Sequence, residues 1–134
     1  MKTLLMIKPD VVEKGLYGEI IAFVLKNGFK VTSMRMLRLD REHARRFYEI
    51  HEGKGFFASL VDYVTSGPMV AMEIDGDDEL IPRLRAFVGA TDPAKASPGT
   101  IRRMYGISIQ HNAVHASDSP EAAKKELAIV FGGS

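Results

Sequence analysis

The chain has 134 residues, 46% of them hydrophobic and 26% charged, and this mix calls for a packed core and excludes general disorder. With 18 Lys and Arg against 17 Asp and Glu, the net charge of +1 lacks the basic excess of a dedicated nucleic-acid binder, and the absence of cysteine excludes disulfides, thiolate metal sites and a Cys nucleophile. No apolar run approaches the ~20 residues of a membrane span, and the short run at Leu4–Ile7 is ended by Lys8, so a soluble cytoplasmic protein folded as one domain over 1–134 is expected.

Leu4 to Ile7 reads as a buried strand running into a loop at Lys8-Pro9-Asp10. Ile20, Ile21, Val24 and Leu25 share one face of a helix stopped by Asn27-Gly28. Phe29 to Leu39 reads as a strand with imperfect alternation. Asp40 is placed to cap a helix carrying Ala44, Phe47, Tyr48 and His51, and Phe56, Phe57, Leu60, Val61 and Val64 mark a shorter one. Met69 to Ile74 is a strand with Val70, Met72 and Ile74 on one side. Asp77, Asp78 and Glu79 open a helix with an apolar face of Leu80, Ile81, Leu84, Phe87 and Val88. Gly89 to Arg103 reads as a long loop of the kind that often carries function. Ile107 to Ile109 predicts a short strand, and Ser119-Pro120 predicts the start of a last helix reaching about Val130. This order fits either a parallel α/β sheet or a β-α-β-β-α-β core with extra helices.

Neither common glycine-rich phosphate loop occurs, and His43, His51, His111 and His115 show no metal-ligand spacing with carboxylates. The polar run Asn112-Ala113-Val114-His115-Ala116-Ser117-Asp118-Ser119 stands apart. His115 lies shortly before a helix start, where backbone N–H groups favour anions. On that helix Glu126 falls on the inward stripe with Ala123, Leu127 and Val130, and a buried carboxylate needs a partner. It is either a stripe-edge residue in water or the group that orients His115. Lys8 closes a buried strand, Tyr48 lies on an inward helix face, Arg85 shares a stripe with Ile81 and Val88, and Thr91 and Arg102 bracket the long loop.

Taken together, Met6-Ile7-Lys8-Pro9-Asp10, Phe56-Phe57-Ala58-Ser59-Leu60, Ser66-Gly67-Pro68, Gly89-Ala90-Thr91-Asp92-Pro93, Pro98-Gly99-Thr100-Ile101-Arg102 and the Asn112–Ser119 block closely resemble nucleoside diphosphate kinases along nearly the whole chain. The resemblance implies a ferredoxin-like α/β sandwich with a four-stranded antiparallel sheet. It implies ping-pong transfer of a γ-phosphoryl group from nucleoside triphosphate to diphosphate, with Mg²⁺ held mainly by the nucleotide, through a phosphohistidine at His115. It also implies roles for single residues. Lys8, Arg85 and Arg102 match phosphate-binding positions; Tyr48 and Thr91 match hydrogen-bonding positions near them. Asn112 matches a ribose 3′-hydroxyl contact, and Phe56 the base-stacking aromatic, with Leu60 and Ile109 as its apolar surroundings. Glu126 and Ser117 match the support of the histidine. A homo-oligomer is implied, tetramer or hexamer, with the short Phe131-Gly132-Gly133-Ser134 end favouring a tetramer. Departures are Ala116, Gln110 and Val11 where glycine is common, Lys54-Gly55, and Arg103-Met104-Tyr105. If residue 116 needed a positive φ, alanine there would be strained.

Overall fold

The computed structural model describes residues 1–132, so the Gly133-Ser134 end noted above lies outside the described residues. Four strands form one antiparallel sheet in the order β2-β3-β1-β4 among the described residues. They are β1 (Lys2–Ile7), β2 (Lys30–Leu37), β3 (Met69–Asp75) and β4 (Val114–Ala116). Strand alternation divides the core in two. Leu5 and Ile7 of β1 join Val70, Met72 and Ile74 of β3 on one face, under helices α2 (Tyr17–Lys26) and α5 (Leu80–Val88). Leu4 and Met6 join Met69 and Ala71 on the other, under α3 (Arg41–Phe47), α4 (Phe57–Val64) and α7 (Pro120–Phe131). β1 is buried on both faces, and this explains its unbroken apolar run. Antiparallel pairing throughout rules out the parallel alternative.

Several caps follow the expected chemistry. Asp40 accepts from the His43 backbone N–H at 2.8 Å, and Ser119 accepts from that of Ala122 at 3.1 Å with Pro120 at the first helical position. Three readings need correction. Pro9–Glu13 is a short helix, α1, not a loop; proline at its first position needs no N–H partner. The long loop contains a 3-10 turn at Pro93–Lys95 and a helix, α6 (Ile101–Tyr105), started by Thr100, whose hydroxyl accepts from Arg103 N–H. The strand expected at Ile107–Ile109 lies instead at Val114–Ala116. Backbone N–H groups of Ile107 and Ser108 both donate to His111 O, at 2.8 and 3.3 Å, so this segment bends back on itself, and both isoleucines are exposed.

Candidate active site

Register places the candidate histidine. His115 pairs with Met6 across β1, so it shares the face covered by α3, α4 and α7. Ala116 and Val114 point to the opposite face, paired with Leu5 and Ile7. Ala116 therefore has ordinary strand geometry and carries no strain. The strained residue is Ala113, with φ of 74°, the one non-glycine residue of positive φ among those described. Val114 N–H donates to Asn112 O at 2.9 Å across it, the hydrogen bond of a classic γ-turn, a rare and strained conformation. That tight bend separates the directions of Asn112 and His115.

His115 Nε2 lies 2.7 Å from Glu126 Oε1, and the Ser117 hydroxyl donates to the same oxygen at 2.7 Å. Glu126 is only 8% exposed and comes from the inward face of α7, so the alternative of a solvated stripe-edge residue is excluded. With Nε2 turned to the carboxylate, Nδ1 is the ring nitrogen left for chemistry. Phe47 meets the imidazole edge-on at 4.9 Å between centroids, and Tyr48 does so at 5.9 Å. Phe47 was legible only as a core position; Tyr48, at the end of α3, was the one with a polar signal. The Tyr48 hydroxyl is buried without a partner among the described residues, and burial, then the Glu126 charge, raises its pKa, so it stays a proton donor.

Three cations belong to the same region. Lys8 is buried; its Nζ donates to Asn112 Oδ1 at 2.8 Å and to Gln110 O at 3.3 Å. Burial, then Arg102, pulls its pKa down to about 8, opposed by Asp10. Arg102 donates to Gly89 O at 3.1 Å and Val114 O at 3.0 Å, and its Nε has no partner among the described residues. Its pKa falls to about 10 through burial and Arg85, which leaves it charged at neutral pH. Arg85 donates to Ala116 O at 3.0 Å. None of the three has a carboxylate within salt-bridge reach among the described residues. Their side-chain hydrogen bonds go to neutral oxygens, which position a cation without neutralising it. Gly89 allows this arrangement: its φ is 98°, and a Cβ there would stand 2.6 Å from Thr100 Oγ1.

The remaining candidates form a rim. Asn112 Nδ2 donates to Thr91 O at 3.0 Å, so Thr91 enters through its backbone carbonyl, while its side chain is exposed. Phe56 is 46% exposed and stands with His51, 5.2 Å between ring centroids, and with Lys54 Nζ at 5.8 Å. Leu60 is buried, in the same core cluster as Tyr48 and Val61. Ile109 is 62% exposed; its neighbour Gln110 exchanges hydrogen bonds with the Ser59 side chain, and this ties the 107–111 segment to α4. The Asp10–Tyr63 hydrogen bond was invisible in the sequence, because its partners lie on separate elements with no shared pattern.

Fold and site together define a ferredoxin-like α/β sandwich with a carboxylate-braced histidine among unpaired cations. The chain matches the family described as nucleoside diphosphate kinase over residues 1–134. It is 55% identical to the nucleoside diphosphate kinase of Heliobacterium modesticaldum, covering 97% of this chain and 87% of that one. It is 49% identical to that of Saccharolobus solfataricus, covering 99% and 96%. Among solved structures, the Aquifex aeolicus nucleoside diphosphate kinase superimposes with a TM-score of 0.92 at 40% identity, covering 98% of this chain and 95% of that one. The Halobacterium salinarum nucleoside diphosphate kinase in complex with CDP gives 0.92 at 40%, covering 98% and 87%. The chain belongs to the nucleoside diphosphate kinase family. Its reaction is transfer of the γ-phosphoryl group of a nucleoside triphosphate to a nucleoside diphosphate.

Proposed function

We propose that His115 carries the phosphoryl group between the two nucleotides, bonded through Nδ1. The observation that supports this reading is the 2.7 Å contact of Nε2 with Glu126. A carboxylate at Nε2 stabilises the N–H form there and leaves a lone pair on Nδ1. That lone pair attacks the γ-phosphorus, the bond to the β-phosphate oxygen breaks, and the diphosphate departs with the charge. In the second half, the terminal oxygen of an acceptor diphosphate attacks the same phosphorus and the N–P bond breaks. One site thus serves donor and acceptor in turn.

Such a transition state needs positioning and charge stabilisation more than proton chemistry. Lys8, Arg85 and Arg102 supply positive charge to the phosphates, and the unpartnered Tyr48 hydroxyl and Arg102 Nε are donors awaiting oxygens. Thr91 and Asn112 line the approach, with Asn112 beside the ribose 3′-hydroxyl. Phe56 stacks on the base, with Leu60 and Ile109 as apolar neighbours, and stacking reads no base edge, so all four common bases are accepted. Glu126 is committed to His115 and Ser117. Among the described residues no cluster of three His, Cys, Asp or Glu is suited to a metal. The divalent ion, Mg²⁺, would be held mainly by the nucleotide phosphates, where it would add charge neutralisation. The working form is a cytoplasmic homo-oligomer, tetramer or hexamer.

Incubation with γ-labelled ATP and no acceptor tests the central step. An acid-labile labelled protein is expected, and His115→Ala should abolish it while ADP binding persists. Labelling retained in that variant would overturn the assignment of His115.

A further inference from the structure

Beside Lys8 lies a group of side chains that the transfer reaction leaves without a role. Asp10 stands two residues beyond it, in the first turn of α1. Its Oδ1 accepts a hydrogen bond from the hydroxyl of Tyr63, which reaches across from α4. Tyr63 is 9% exposed. The Lys8 ammonium stands 5.8 Å from its ring centroid and the His111 imidazole 4.2 Å from it. One aromatic ring therefore touches the exit of β1, the start of α1 and the 107–111 segment. That last segment also supplies Gln110 O to Lys8.

Charge and geometry together give these contacts a purpose. Among the described residues Lys8 donates to neutral oxygens, and it is repelled by Arg102 on α6. The carboxylate that acts in its favour is Asp10. Asn112 from the turn before β4 and the Tyr63 ring from α4 also face Lys8 and carry no charge, and the His111 imidazole lies against that ring. A partly exposed carboxylate in a first helical turn is free to swing into water. The Tyr63 hydroxyl holds it, and burial and that hydrogen bond keep the phenol protonated.

We propose that Asp10 and Tyr63 form a positioning pair for Lys8, with the carboxylate as fixed counter-charge and the ring as platform, although neither touches the nucleotide. The proposal rests on the reading of Lys8 as a phosphate ligand of the His115 site. A mere link between α1 and α4 would lower activity equally at every pH. A positioning pair for an ammonium acts through the alkaline limb of kcat/KM, which reports groups of the free enzyme.

The test measures kcat/KM for ATP from pH 6 to 9.5 in the unaltered protein, Asp10→Asn and Tyr63→Phe. Loss of one neighbouring negative charge should move the alkaline limb down by about one pH unit in Asp10→Asn, a loss of about tenfold on that limb. Tyr63→Phe keeps the ring and frees the carboxylate, so its limb should move the same way by less, and it carries the test if Asp10→Asn does not fold. The double variant should match Asp10→Asn. Limbs that stay in place in folded variants would overturn the pair. If the unaltered protein forms no labelled species, the His115 reading fails instead, and the same pH comparison is made on ADP binding.

Discussion

Keeping the Lys8 ammonium out of water beside Arg102 works against the folded state. Its pKa falls from the ordinary lysine value of 10.5 to about 8, so the unfolded chain holds that proton more firmly than the folded one. The penalty is complete below pH 8, fades as pH rises through 8, and is gone above 10.5. A shift of this size corresponds to about 3 kcal/mol. Lys8→Met removes the charge but leaves Asn112 Oδ1 without its donor, which returns about 1–2 kcal/mol. Urea unfolding should therefore show a gain of roughly 1–2 kcal/mol at pH 7 that shrinks at pH 9.5, in a variant with little transferase activity. A destabilised variant at pH 7 would mean that the polar contacts of Lys8 outweigh its desolvation. Residues of this kind were legible in the sequence because a charge ending a buried strand breaks its pattern. Ala113 was not legible: its positive φ arises from the chain turning between Asn112 and β4, and nothing in an alanine announces that.

At the scale of elements, α7 is what turns a histidine into a site. Its inward face joins the sheet's core cluster through Ile129 and Val130, and Ala123 and Glu126 are buried on the same helix. The 3.6-residue spacing made this helix and its inward carboxylate readable in advance, as strand alternation did for β1 and β3. The failures share a cause as well. Ile107 and Ile109 alternate like a strand, but pairing is decided by a partner edge, and β1 offers its edge to Val114–Ala116 instead. α1 and α6 are five residues each, too short to show a period, and are set by their surroundings. Glu126→Gln keeps the shape of the α7 contact and removes its charge. Loss of such a supporting group typically costs ~10–100-fold, so the phosphorylation rate of His115 should fall by that much over pH 6–8 with the melting temperature little changed. An unchanged rate would reduce Glu126 to a packing residue.

For the whole molecule, the two sheet edges differ. β4 ends the sheet at the site and β2 ends it on the opposite side, each leaving one side unpaired among the described residues. Met34 and Met36 lie opposite Met72 and Val70 of β3, yet are 51% and 50% exposed. They extend the core face past the helices that cover it, and an open strand edge with apolar neighbours favours association with another chain. Light scattering at micromolar concentration should give a species larger than one chain, and Met34→Lys with Met36→Lys should shift it toward smaller forms. A monomer in the unaltered protein would reject the proposed oligomer.

The pairing of β1 with β4 also has a consequence for biosynthesis. Lys8 and Asn112, hydrogen-bonded in the folded protein, are separated by 104 positions in the chain. A ribosome releases residues in order, so Lys8, the phosphate ligand in the proposed reaction, emerges early and waits for nearly everything else. The sheet can start from β1, β2 and β3, but without β4 and α7 it lacks the histidine and its brace. With His115 as the phosphoryl carrier, nascent chains are expected to transfer no phosphoryl group until the last quarter of the sequence has emerged. Activity becomes a late marker of completed synthesis.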